Sequence, residues 1–215
     1  MTAIRLQKID ETNRGDHYHL AAGDECYFLY EYTAGAGWRG GATNQLIHNL
    51  QKKRGDGGYH YKAPAIAECA QALSLTLNQD WLSEACLVPV PPSKTKTDPL
   101  YDDRISKVCA AIRKPGQPNI RELIEQIEST ETFKGGNRRK PEELRANYRF
   151  NEQLLADLPK KIGIVDDVLT TGSHFRAIKD MILETASGCQ VVGLFVARRA
   201  IPNPFEAVSI DDLLK

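Results

Sequence analysis

Between residues 161 and 174 the chain reads Lys-Ile-Gly-Ile-Val-Asp-Asp-Val-Leu-Thr-Thr-Gly-Ser-His, and these side chains have complementary chemistry. Asp166 and Asp167 close a β-branched apolar run, and two ionised carboxylates there accept hydrogen bonds from sugar hydroxyls or bind a hard metal ion. Thr170, Thr171 and Ser173 follow around Gly172, where a segment begins whose Phe175, Ile178 and Ile182 recur at helical spacing. The first turn of a helix presents N–H groups without intrahelical partners and the positive end of the dipole. Hydroxyl residues at that turn therefore make a seat for a phosphate. Carboxylates repel a phosphate but suit the sugar that carries it, so the stretch reads as a ribose-phosphate cradle. A solvated Asp-Asp turn capping the next helix is the plainer alternative.

The same residues resemble the 5-phosphoribosyl 1-pyrophosphate (PRPP) binding motif of type I phosphoribosyltransferases, an apolar strand followed by Asp-Asp-x-x-Thr-Thr-Gly. The resemblance implies that Asp166 and Asp167 hold the ribose 2′ and 3′ hydroxyls. It also implies that Val168, Leu169, Thr170, Thr171, Gly172, Ser173 and His174 wrap the 5′-phosphate. The cofactor it implies is Mg²⁺, which Asp166 and Asp167 contact directly or through the ribose hydroxyls. Upstream, Leu87-Val-Pro-Val-Pro-Pro-Ser-Lys94 resembles the strand and pyrophosphate loop that open the core in the ComF-like, competence-associated branch, which places Ser93 and Lys94 on pyrophosphate. Read without the resemblance, it is an edge strand with a proline-rich exit. The next helix carries Ile105, Val108, Cys109 and Ile112 on one face, with Arg104 beside it. In the same branch an arginine recurs shortly after the proline-rich strand; a solvated charge is the equal alternative for Arg104.

From Thr132 to Arg149 six basic residues, Lys134, Arg138, Arg139, Lys140, Arg145 and Arg149, stand against Glu142 and Glu143 around a Gly135-Gly136 pair. An anion is expected there. The stretch reads as a mobile lid over departing pyrophosphate, with Arg138 and Arg139 as catalytic cations beside Lys94, Asp166 and Asp167. A charged surface loop is the plain alternative, and nucleic acid is the less favoured partner because aromatics stand only at its margins, Phe133 and Tyr148. Leu144–Phe150 also resembles the Arg-x-x-Asn region of ComF-like proteins, with one residue fewer between Arg145 and Asn147.

The activity implied by the resemblance is transfer of a phosphoribosyl group from Mg²⁺-bound PRPP to a nitrogenous acceptor with release of pyrophosphate, in a protein that the family makes a homo-oligomer. Members that use 6-oxopurines usually place an acidic residue where Thr170 stands, and a hydroxyl is a poor general base, so efficient use of hypoxanthine or guanine is not expected. His174 stands where relatives commonly have threonine. The competing reading is a PRPP- or nucleotide-sensing regulator without turnover, or a ComF-like accessory of DNA uptake and processing, since ligand contacts serve binding and turnover alike.

These residues need a scaffold of alternating strands and helices. The patterns give strands at 26–32, 87–91, 161–166 and 190–197 and helices near 100–113, 141–147 and 173–187, while 120–128 is helical by propensity and a strand by resemblance, and the strand is preferred. The fold class expected is α/β, a mainly parallel open sheet flanked by helices, of type I phosphoribosyltransferase fold. An N-terminal cap over 1–80, a core over 81–200 and a tail over 201–215 complete it. Gly35-Ala-Gly-Trp-Arg-Gly40 fits a dinucleotide fingerprint, yet no apolar strand ending in a carboxylate follows its helix, so a glycine-rich loop bordering the site is preferred. Lysine plus arginine equals aspartate plus glutamate at 28 each, leaving no global field for nucleic acid or an anionic membrane. The five cysteines are scattered and read as reduced core thiols. They include no Cys-x-x-Cys pair, so the zinc cluster common at the start of ComF-like proteins is not expected. With no signal-like or membrane-spanning run, the expected location is cytoplasmic.

Overall fold

The computed structural model describes residues 4–113, 118–131 and 139–201. Along the chain it has β1 (Gln7–Lys8), β2 (Glu25–Thr33), α1 (Ala42–Leu50), α2 (Lys62–Thr76), α3 (Gln79–Glu84), β3 (Ala85–Pro89) and α4 (Arg104–Ala111). There follow β4 (Asn119–Ile120), β5 (Ile124–Gln126), α5 (Pro141–Ala146), β6 (Tyr148–Phe150), β7 (Lys161–Leu169), α6 (Ser173–Thr185) and β8 (Gln190–Ala200). Among the described residues six strands form one sheet in the order β1-β2-β8-β7-β3-β4, and β5 and β6 form a separate antiparallel ribbon. All neighbours in the large sheet are parallel except β1 on β2.

A parallel sheet needs both faces covered, and the apolar residues divide accordingly. On one face Ile47 and Leu50 of α1, Cys69 and Leu73 of α2, and Val108 and Cys109 of α4 pack over Leu87, Val165 and Leu194. On the other, Phe175, Ile178 and Ile182 of α6 pack with Leu144 and Tyr148 over Val88, Ile162 and Ile164. Ile162, Ile164, Ile178 and Ile182 are fully enclosed, which stabilises the sandwich by about 1.5–3 kcal/mol for each such side chain.

Several boundaries differ from the sequence reading for local reasons. The strand expected at 87–91 spans Ala85–Pro89; Val90 still donates to Val165 O at 2.9 Å, but Pro91 and Pro92 have no N–H to continue the ladder. The helix expected near 100–113 shortens to Arg104–Ala111 because Asp98 accepts the N–H groups of Leu100 and Tyr101 in a turn. Residues 120–128 are extended but broken, contributing to β4 on the large sheet and to β5 on the ribbon. Residues 1–80, expected as a cap, supply β1 and β2 to the same sheet, where β2 pairs with β8 along its whole length from Glu25 to Thr33. The tail, apart from Ile201, lies outside the described residues. Cys26, Cys69, Cys86 and Cys109 are buried free thiols, and Cys189 is half-buried and free. No helix among the described residues is long and apolar enough to cross a membrane.

Candidate functional site

The sheet order locates a crevice before any side chain is considered. From β3 the chain crosses through α4 to β4 on one side, whereas β7 lies on the other side of β3 and is followed outward by β8. The strand order therefore reverses between β3 and β7, and the loops leaving their C-terminal ends diverge, which is where open α/β sheets hold ligands. Those two loops are 90–94 and 170–174, the segments singled out by their chemistry.

Together they line a cavity of about 220 Å³, with Pro91 and Ser93 from one loop, Thr170, Thr171, Ser173 and His174 from the other, and Gln126, Thr130, Glu131, Arg139 and Leu144 opposite. Thr171 and Ser173 are buried, at 2% and 4% exposure, with their hydroxyl oxygens 2.7 Å apart. Gly172 holds the N-cap of α6 at φ 87°, and no side chain caps the helix. The helix start is thus left to whatever enters the cavity. Three residues from the N-terminal segment fix this loop from behind. The His17 ring bonds the Thr170 carbonyl, the His19 N–H donates to Thr171 O at 2.9 Å, and Leu20 packs against Gly172. In front, the Tyr148 hydroxyl and His174 Nδ1 are 2.6 Å apart, and Thr130 N–H donates to Ser93 O at 2.8 Å.

The acidic pair lies inside β7 rather than at its end, because the ladder continues past it: Asp166 pairs with Phe195 and Val168 with Ala197. Consecutive strand residues point to opposite faces, so the two carboxylates part. Asp167 points towards α1 and α4. Its Oδ2 accepts from Arg104 Nε at 3.0 Å, Arg104 Nη2 at 2.8 Å and Gln51 Nε2 at 2.9 Å, and its Oδ1 accepts the Val168 N–H at 2.7 Å. Burial works to raise its pKa, but the Arg104 charge and these donors outweigh burial and hold it below the ordinary carboxylate value. Arg104 also donates to Asp102 Oδ2 at 2.8 Å, which in turn accepts from the buried Lys62 at 2.8 Å. Asp166 instead raises the pKa of Tyr148, second to burial, on the α6 side of the sheet. Its carboxylate accepts the Asp167 N–H at 2.8 Å. Burial, and then the negative charge of Asp167, push its pKa well above the usual range. It is the carboxylate of the pair left to a hydrogen-bond donor or a cation.

Of the residues singled out by sequence, the fold gathers Ser93, Arg139, Thr170, Thr171, Ser173 and His174 around one cavity. Lys94 lines the adjoining cavity of about 280 Å³, where Lys96 pairs with Glu122 and Glu125, and its ammonium lies 3.2 Å from Glu131. Arg138, with residues 132–137 of the expected lid, lies outside the described residues. Within the preferred loop at Gly35–Gly40, Gly37–Gly40 forms a 3-10 turn leading into α1, and Gln51, the residue after α1, reaches Asp167. Gln51, His17 and Leu20 were not legible as site residues, since each acts through a contact more than 100 positions away. Only Arg104 carried a signal, its position beside the apolar face of a helix. Compared with known proteins, the chain matches no family model. No curated protein matches it either.

Proposed function

We propose that the protein is a phosphoribosyltransferase that binds Mg²⁺-PRPP and transfers its phosphoribosyl group to a nitrogenous acceptor, releasing pyrophosphate. The observation that carries this reading is the coincidence of a hydroxyl-lined helix start, Thr170–His174 with Thr171 and Ser173 buried, with the crevice between β3 and β7, where strand order reverses. The parallel sheet is compatible with the type I phosphoribosyltransferase fold. In this account the α6 N-terminus, Thr171 and Ser173 seat the 5′-phosphate, and Asp166 accepts from the ribose hydroxyls. Asp167 positions Asp166 and Val168 through its hold on Arg104 and Gln51. Lys94 and Arg139 supply the cationic side on which pyrophosphate leaves, and Ser93 a hydroxyl donor beside them. Such a site accelerates reaction chiefly by orientation and by charge placed where the leaving group develops its own.

The donor set fits Mg²⁺ of the kind that rides on a substrate. Among the described residues no group of three acidic, histidine or cysteine side chains could cage a metal, but Mg²⁺ takes one or two carboxylates, waters and substrate phosphates. Asp166 is the residue that would hold it, directly or through the sugar; bound there, the ion would neutralise pyrophosphate charge.

A second reading, a PRPP- or nucleotide-sensing protein without turnover, draws on the saturation of Asp167 by Arg104 and Gln51, which favours a rigid binding site. Pyrophosphate release from PRPP across a panel of nitrogenous bases separates the two. Release with at least one base supports the transferase; PRPP binding without release from any base supports the sensor; absence of PRPP binding removes both.

A further inference from the structure

A third cavity, of about 440 Å³, opens between the loop that joins α1 to α2 and the turn before α4. Its volume falls within the ~300–1,000 Å³ typical of small-molecule sites. The floor is Lys62, 7% exposed, whose ammonium is fixed by Leu50 O at 2.9 Å, Lys52 O at 2.7 Å and Asp102 Oδ2 at 2.8 Å. The walls are apolar and aromatic, with Tyr59, Ile66, Leu100 and Tyr101.

The charge of the lining decides what fits between those walls. Both acids are already neutralised, Asp102 by Lys62 and Arg104, and Asp103 by Lys107 at 2.8 Å. Lys52 donates to Gly57 O at 2.6 Å and stands 5.3 Å from the Trp38 ring, which ties the loop in place. Lys53 and Arg54 are exposed at the rim, and among the described residues neither has an ion-pair partner. Asp56 accepts the Lys53 N–H at 2.7 Å but forms no ion pair with either side-chain cation, so apolar and aromatic walls beside two unpaired cations suit a planar aromatic group that carries an anion.

We infer that this cavity is a second ligand site, taking a nucleoside monophosphate with its base against Tyr59 and Tyr101 and its phosphate on Lys53 and Arg54. The inference is independent of the function proposed above, because no residue of this lining belongs to the Thr170–His174 cradle. Calorimetric titration with adenosine 3′-monophosphate tests it. The expected result is saturable binding that weakens about tenfold or more in Lys53→Ala/Arg54→Ala and in Tyr59→Ala, and is unchanged in Asp166→Asn. Adenosine alone and inorganic phosphate alone are each expected to bind at least about tenfold more weakly than the nucleotide. Both rim cations are exposed, so their removal leaves the fold intact. The proposal is overturned by absence of saturable binding, by equal affinity in the Lys53/Arg54 variant, or by loss of binding in Asp166→Asn, which would put the nucleotide in the cradle.

Discussion

Arg104 clasps Asp167 with two N–H groups on one carboxylate oxygen, Nε at 3.0 Å and Nη2 at 2.8 Å. This contact joins the helix after β3 to the strand that carries the acidic pair, and so ties together the two strands whose loops form the crevice. It also divides the labour of the pair. One carboxylate is an element of structure, and the other, whose Oδ1 accepts the Asp167 N–H, keeps Oδ2 for a ligand.

Opposite effects on stability follow from that division. Asp167→Asn leaves the Arg104 charge without its second partner and is expected to destabilise by about 3–5 kcal/mol. Asp166→Asn relieves a half-buried carboxyl whose ionised form is disfavoured by desolvation and by the charge of Asp167, and is expected to stabilise by roughly 1 kcal/mol, about 2–4 °C in Tm for a chain of this length, at the cost of activity. Urea and thermal unfolding at pH 7 check both. Equal destabilisation by the two variants would contradict the division.

The clasp behind the cradle should respond to mild acid. Burial lowers the pKa of His17 from its ordinary value near 6.5, so the folded protein resists protonating a ring that the unfolded chain protonates freely. The sign follows: this stability is fully present above about pH 6.5 and is lost as pH falls from there through the lowered pKa. Unfolding free energy measured from pH 7.5 to 5 should decline on acidification, and His17→Gln should flatten the decline. A slope that persists unchanged in the variant would assign it elsewhere.

Gly172→Ala should damage the cradle without touching any polar group. A Cβ there would meet Leu20 Cδ2 at 2.8 Å, and φ is +87°, a conformation that L side chains rarely adopt. The expected cost is about 1–3 kcal/mol with loss of PRPP affinity, read by chemical denaturation and calorimetry. An alanine variant of unchanged stability and affinity would show that the turn relaxes at no cost.

How much of this was legible in sequence depended on whether the signal was local. The helix of Phe175, Ile178 and Ile182, the small residues that open it and the acidic pair all sit within one short segment, where period and chemistry coincide. The placement of β2 was not legible, because parallel pairing of Glu25–Thr33 with Val192–Ala200 joins segments far apart in the chain. The division of Asp166 from Asp167 was hidden for a related reason. A strand that stopped at the pair would leave both free to turn to one ligand, and only the ladder through Val168 and Leu169 forces them apart. Residues 120–128 carried two opposed signals: Glu125 and Gln126 favour a helix by composition, the resemblance favours the preferred strand, and pairing with Arg149 and Tyr148 makes Ile124–Gln126 a strand.

The acceptor should not be a 6-oxopurine. Thr170 presents a hydroxyl and its carbonyl is already bonded by His17, so no acid stands at that position to take a proton from the base. Pyrophosphate release with hypoxanthine or guanine should stay at the level seen without acceptor. Rapid release with either would contradict this assignment.

Calorimetric titration of the wild-type protein with PRPP in the presence of Mg²⁺, repeated on Asp166→Asn and Ser173→Ala, tests the central claim most directly. The account predicts saturable binding at one site in the wild type, weakened about tenfold or more in each variant, because one loses the carboxylate for the ribose and the other a hydroxyl of the phosphate seat. Absence of binding in the wild type, or affinity unchanged in both variants, would contradict it.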